Sequence, residues 1–206
     1  MEPADGAGPF DDPAYFFEPW WPGLPIVVRA GSGRVEVEAH ELIDVLAVFP
    51  DLAELGALVD GAELLVEGTL LALDAGGRPD RRLLRDRLSG ATDSPARAAF
   101  VATDLLERDA RSQLRQPFSS RRACLAESFR PSDWCAVSRG IVGEGHTMAV
   151  AAAPLGFSAL SAHRMDAPYR IGPAGDAWLR LPIAPAEADD ALPPLLVVFR
   201  ALPLPG

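Results

Sequence analysis

The chain has 206 residues, 49% of them hydrophobic, with 19 basic against 29 acidic side chains and a net charge of −10. All 19 basic residues are arginine, which excludes a lysine nucleophile, a Schiff-base lysine and a P-loop lysine, since no other side chain supplies a primary amine. The acidic balance argues against a general nucleic-acid binder, and no apolar run reaches the roughly 18–20 residues of a membrane span.

From the N-terminus, residues 1–15 are rich in Gly, Pro, Asp and Ala and are expected to form a flexible arm, with order beginning near Phe16. Residues 24–38 predict two strands joined at Gly31-Ser32-Gly33, the second alternating Val35 and Val37 with charges. Leu52, Leu55 and Leu58 lie at helical spacing behind a Pro50-Asp51 entry. The run E-L-L-V-E-G-T-L-L-A-L-D, closed by Ala75-Gly76-Gly77, predicts a buried strand running into a turn. Residues 80–88 (D-R-R-L-L-R-D-R-L) gather Leu83, Leu84 and Leu88 on one face and predict an amphipathic helix with solvated arginines. A loop is expected over 89–97, a strand over 98–106 and a helix over 119–129. Beyond these come a strand over 134–142, an Ala-rich helix over 144–155 cut by Pro154, and strands over 157–163 and 177–183. Residues 184–206 form a Pro-rich tail with one short apolar run at 195–202. Hairpins mixed with helices, without strict strand–helix alternation, indicate an α+β fold of one domain or two small ones.

Few local motifs carry chemistry. His40-Glu41 lacks the second histidine four residues on that a helix-borne zinc pair requires, and no metal site is expected. Gly143-Glu144-Gly145 and Gly31-Ser32-Gly33 lack the context of a dinucleotide site and read as turns. No G-x-S-x-G elbow occurs, and Asp11-Asp12 and Asp189-Asp190 read as solvated pairs. Cys124 and Cys135 are too few for a disulfide framework or a cysteine-only zinc site and are expected to be reduced and buried. The start M-E-P-A-D-G lacks the regions of a secretory leader, which makes the cytoplasm the default location.

Taken in series, the blocks from about Phe17 to Pro182 resemble the adenylation domain of ATP-dependent DNA ligases, in particular the bacterial end-joining type. F-E-P-W-W-P-G stands where the family has F-E-P-K-x-D-G, and L-L-V-E-G-T-L-L-A-L-D-A-G-G-R-P-D looks like V-L-D-G-E-I-V-A-L-D followed by G-R-P-D-F. F-V-A-T-D-L-L stands for Y-V-A-F-D-L-L, and S-S-R-R-A-C-L resembles the E-R-R-x-L helix. A-H-R-M-D-A-P-Y-R-I-G and A-W-L-R-L are similar to A-K-R-L-D-S-P-Y-R-P-G and W-L-K-V-K. The resemblance implies a nucleotidyltransferase-like fold over residues 16–183, with antiparallel sheets flanked by helices. The OB-fold domain of a working ligase takes on the order of 80–100 residues, and it is expected to be absent.

The departures fall on the chemistry. In the family the motif lysine attacks the α-phosphate of ATP; here that position is Trp20, and the Asp two residues on is Pro22. Thr69 replaces the carboxylate of the D-G-E block, and Glu67 is expected on the opposite face of the strand. Thr103 replaces the aromatic that stacks on adenine, Ser158 and His163 replace the Glu and Lys of E-G-V-V-A-K, and Arg180 and Pro182 replace the last lysine pair. Residues that match the family, such as Glu18, Gly68, Asp104, Arg122 and Trp178, are largely scaffold.

The resemblance therefore implies a catalytically inactive ligase-like domain, a binding or regulatory module linked to DNA repair with a protein partner. The alternative is a non-covalent nucleotide or small-ligand sensor that holds anions through Arg180 and His163. The remnant nucleotide positions are Glu18, Trp20, Thr69, Thr103, Ser158, His163 and Arg180, and none is expected to be catalytic. Covalent use of ATP or AMP with magnesium is not expected, nor is binding of nucleic acid by the chain alone. Trp20 and Trp21 are expected either to fill the old cleft as core residues or to form an apolar patch.

Overall fold

A computed structural model describes residues 1–31, 33–39, 44–59, 63–90, 96–184 and 192–203. The expectations placed on Ser32, His40-Glu41 and Asp189-Asp190 lie outside the described residues. The chain divides into two compact units, one made of Met1–Trp21, Leu114–Ser120 and Ser138–Gly206, the other of Pro22–Gln113 and Arg121–Val137.

The first unit opens with strands β1 (Ala4–Asp5) and β2 (Tyr15–Pro19). The second begins with the hairpin of β3 (Leu24–Gly31) and β4 (Arg34–Ala39), which places Val28 opposite Val37. Helix α1 (Val45–Val48), capped by the Asp44 side chain, and a 3₁₀ helix (Pro50–Ala57) lead to β5 (Leu64–Leu73). Helix α2 (Arg81–Leu88), strands β6 (Arg97–Arg108) and β7 (Arg111–Ser112), helix α3 (Phe118–Ser128) and β8 (Cys135–Val137) follow. The chain returns to the first unit with β9 (Ile141–Val142), α4 (Gly145–Ala152), β10 (Ala159–Arg164), β11 (Trp178–Pro182) and α5 (Leu195–Ala201).

The first unit's sheet runs β1-β11-β10-β2-β9 and the second's β4-β3-β5-β6-β7, with β8 also pairing β6. Most pairings are antiparallel, as expected, but β1 lies parallel to β11 and β8 parallel to β6. In β5, Leu64, Val66, Gly68 and Leu70 are buried while Leu65, Glu67 and Thr69 are half-buried, the alternation of a strand with one face on a core. From Leu70 to Leu73 every residue is buried.

Several elements differ from the sequence reading. Leu52 and Leu55 sit fully buried on a 3₁₀ helix, whose three residues per turn stack side chains three apart, and Leu58 is its C-cap. On α2, whose N-terminus Asp80 caps by accepting from the Arg82 and Leu83 amides, Arg87 is not solvated. It donates to the carbonyls of Ala96 and Val48 and lies 4.3 Å over the Phe49 ring. The single strand expected over 134–142 is two, β8 and β9, in different units. Gly140 lies between them, where a Cβ would meet the Phe16 ring and the Phe17 carbonyl.

The arm and the tail are also more engaged than composition indicates. Ala4–Asp5 pair with Leu179–Arg180, and Glu2 exchanges backbone hydrogen bonds with Gly172 and Ala174 at 2.8 and 2.9 Å. Small residues and prolines make a poor core, but backbone groups pair with a sheet edge whatever the side chains. In the tail, α5 buries Leu195, Val198 and Phe199, and the Phe199 ring packs 5.4 Å from that of Trp21. Among the described residues no helix is long and apolar enough to cross a membrane.

Candidate functional site

In the first unit, β10 runs antiparallel between β2 and β11, and its register fixes the site. Ser161 stands opposite Glu18 on one side and Arg180 on the other; His163 stands opposite Phe16 and Trp178. Directly opposed residues share a face, as do residues two apart along a strand. Glu18, Ser161, His163, Trp178 and Arg180 are therefore brought to one face, with Trp20 following directly after β2.

At its centre is a buried polar cluster. Glu18 is 0% exposed and His163 4%, with His163 Nε2 3.3 Å from Glu18 Oε1 and 2.9 Å from Ser161 Oγ. Trp178 Nε1 donates to the same hydroxyl at 2.5 Å. His163 Nδ1 has no hydrogen-bond partner among the described residues. Nε2 faces the Glu18 carboxylate and the Ser161 hydroxyl together. The His163 ring is stacked between Phe118, 4.5 Å away and nearly parallel to it, and Trp178 at 5.2 Å. Trp20 continues the stack at 5.9 Å from Trp178, and the Arg180 guanidinium lies 5.5 Å from the Trp20 ring centroid. Trp21 parts from its neighbour: it is buried, donates to Ser138 Oγ at 2.9 Å and packs edge-on against Phe157.

Ser158 stays outside this cluster, exposed ahead of β10, where its carbonyl accepts from the Ile183 amide. Sequence reasoning missed Ser161. The available signal was its position two residues before His163 on a strand, which puts both on one face.

Thr69 and Thr103 belong to the second unit. Thr103 sits where β6 gains a residue against β5, Glu67 pairing with Asp104 and Gly68 with Ala102. Its hydroxyl donates to the Glu67 carbonyl at 3.2 Å, and its own carbonyl accepts from Arg122. Glu67 was expected on the opposite face from Thr69; residues two apart on a strand point the same way, and both are half-buried beside the buried Val66 and Gly68. The carboxylate at 67 is therefore on the face of Thr69. Asp104, 2% exposed, is held bidentately by Arg121, with Nε to Oδ1 at 2.8 Å and Nη2 to Oδ2 at 2.6 Å. The sequence reading matched Arg122 to the family and overlooked Arg121, the partner of this buried acid.

Comparison with solved structures places this architecture. The ligase domain of M. tuberculosis LigD matches with a TM-score of 0.72 at 24% identity, over 86% of this chain and 56% of that one. Mycobacterial DNA ligase D complexed with ATP and MES matches with a TM-score of 0.71 at 23% identity, over 87% and 58%. The fold is that of the adenylation domain of ATP-dependent DNA ligases. Sequence relatives agree. The multifunctional non-homologous end joining protein LigD of Mycolicibacterium smegmatis is 25% identical over 164 residues, covering 80% of this chain and 21% of that protein. A probable DNA ligase of Nocardia farcinica is 29% identical over 194 residues, covering 82% and 36%. This ligase-like chain thus spans about a fifth to a third of the length of these curated relatives. No protein-family model matches it.

On the ligase fold, Glu18, Trp20, His163 and Arg180 share one face of the first unit's sheet, while Thr69 and Thr103 lie on adjacent strands of the second. Among the described residues, no group of three or more His, Cys, Asp or Glu side chains is placed to hold a metal ion.

Proposed function

We propose that the chain is a catalytically inactive ligase-like domain that serves as a binding or regulatory module linked to DNA repair, acting with a protein partner in the cytoplasm. The observation that carries this reading is the environment of Trp20. The nitrogen lone pair of an indole belongs to its aromatic system and does not attack an α-phosphate. The ring is engaged by Trp178 and Arg180, and the sequence contains no lysine to stand in.

The neighbouring residues support the same reading. Arg180 lies over Trp20 and 4.0 Å from Asp5, and His163 Nε2 faces Glu18 and Ser161. Thr69 and Thr103 offer hydroxyls where the resemblance asks for a carboxylate and an aromatic ring. These residues do not fit a covalent adenylate or its magnesium ion, and no step is assigned to either. A nucleotide sensor would need His163 free to meet an anion, so its burial beside Glu18 and Ser161 favours the module over the sensor. Duplex DNA is expected to bind weakly at physiological salt, given the net charge of −10.

Calorimetric titration with ATP and with AMP tests this reading. No binding is expected up to about millimolar ligand, a free energy of only about −4 kcal/mol. Saturable micromolar binding would replace the module with the sensor.

A further inference from the structure

Among the described residues, the outer edge of β11 is paired only by the N-terminal arm. Ala4 lies opposite Leu179 and Asp5 opposite Arg180 in parallel register, and the Gly6 amide donates to the Arg180 carbonyl at 2.9 Å. The cover is thin. None of residues 1–9 is buried, the Asp5 side chain is 90% exposed, and Gly6 and Gly8 carry the largest entropic cost of ordering. Segments with so little buried apolar surface open at low free energy. Between the arm and β11 an open groove of about 400 Å³ is lined by residues 6–10 on one side and by Leu179 and Leu181 on the other. At position 6 a Cβ would meet the end of the Leu181 side chain, so a larger residue fits only if Leu181 shifts. The groove beyond it is left unfilled by residues as small as Ala7 and Gly8.

We infer that the edge of β11 is a strand-acceptor site, held in cis by residues 4–6 and taken over by an extended segment of a protein partner. This rests on the binding-module reading and names how the partner docks. Backbone pairing supplies the affinity of strand addition and side-chain positions supply its specificity. The fitting segment carries an acidic residue to meet Arg180, where Asp5 now sits, then a glycine, then within two residues a large apolar side chain that fills the groove over Leu179 and Leu181. The arm is a weak copy of that ligand.

The test is a titration of the full-length chain with a peptide of residues 2–10 carrying Ala7→Leu, because Gly8 has a positive φ that disfavours a side chain; binding is followed by Trp fluorescence, since Trp178 lies on β11 itself. A full-length Gly6→Val variant, whose arm fits only if Leu181 shifts, is titrated alongside. Saturable binding to the wild type, tightened roughly tenfold or more in Gly6→Val because the competing arm is weakened, is the expected result. A peptide with Asp5→Arg is expected to lose binding. Should Gly6→Val not fold, an Ala4→Cys, Leu179→Cys chain in a Cys124→Ser background, oxidised to lock the arm in register, is expected to lose the peptide binding that its reduced form shows. No saturable binding to an opened edge, or equal affinity for locked and unlocked arms, overturns the proposal. Failure here leaves the inactive-module reading standing. A covalent adenylate would overturn that reading whatever the peptide does.

Discussion

His163 Nε2 lies 3.3 Å from Glu18 Oε1 inside the first unit, with both side chains almost fully buried. Charge withdrawn from water is tolerated only with a partner, and removing one member of such a pair typically costs about 3–5 kcal/mol. His163→Ala is expected to lose about that much in urea unfolding. The Glu18→Gln, His163→Ala double variant is expected to lose clearly less than the sum of the two single losses, because the second change no longer strands a charge. Additive losses would mean that the two groups do not interact.

The buried Asp104 makes a similar prediction in the second unit. Arg121→Ala strands a carboxylate that now accepts a bidentate guanidinium at 2.8 and 2.6 Å, and is expected to cost about 3–5 kcal/mol. Arg121→Lys is expected to recover little of this, since an ammonium cannot reproduce the fork. Arg122→Ala removes a hydrogen bond to the Thr103 carbonyl from a half-exposed guanidinium and is expected to cost less than Arg121→Ala. Equal losses at 121 and 122 in denaturant melts would refute the assignment.

Much of the fold was legible in the sequence where one physical signal dominates. The apolar–basic period of residues 80–88 announced α2, and the long apolar run ended by Ala75-Gly76-Gly77 announced β5. What was illegible depends on contacts from elsewhere. Ala4 and Asp5 have no strand propensity and become a strand because β11 offers an unpaired edge. The extra residues of β6 at Thr103 and Leu106 show only against the partner strand, and they decide where the Thr103 hydroxyl points. Arg121 and Arg122 are adjacent arginines in S-S-R-R, and only the helix's placement against β6 tells which one meets Asp104. The replaced chemistry at Trp20 was readable residue by residue, whereas its stacking with Trp178 and Arg180 comes from strand register.

The arm is also tied at its far end. Asp11 accepts from the His146 amide at 3.0 Å and caps α4, and its carboxylate lies 3.2 Å from His146 Nδ1. The His146 backbone hydrogen bond, the largest influence, holds the Asp11 carboxyl below its ordinary range. A carboxyl whose pKa is lower when folded contributes stability that is present above the unfolded value of about 3.9 and is lost as pH falls through the lowered folded value. The protection of amides at the start of α4, taken relative to their intrinsic exchange at each pH, is expected to fall below about pH 4 in the wild type and to lose that pH dependence in Asp11→Asn. An unchanged profile in the variant would count against the cap.

The two cysteines are expected to react differently. Burial pushes the Cys135 thiol up to about 12, so it holds almost no thiolate at neutral pH. Cys124 is half-buried and accepts a hydrogen bond from Arg108 Nη1 at 3.1 Å. Iodoacetamide treatment of the native chain followed by peptide mapping is expected to find Cys124 alkylated and Cys135 untouched until the protein unfolds. Alkylation of Cys135 at a similar rate would contradict its burial.

The central claim is that Trp20 and the arginine-only sequence leave no group able to take up AMP. Incubation of the full chain with α-labelled ATP and Mg²⁺ or Mn²⁺, read after denaturing electrophoresis, tests this most directly. The account predicts no label on the protein. A stable label that is discharged by pyrophosphate would reveal a substitute nucleophile and contradict it.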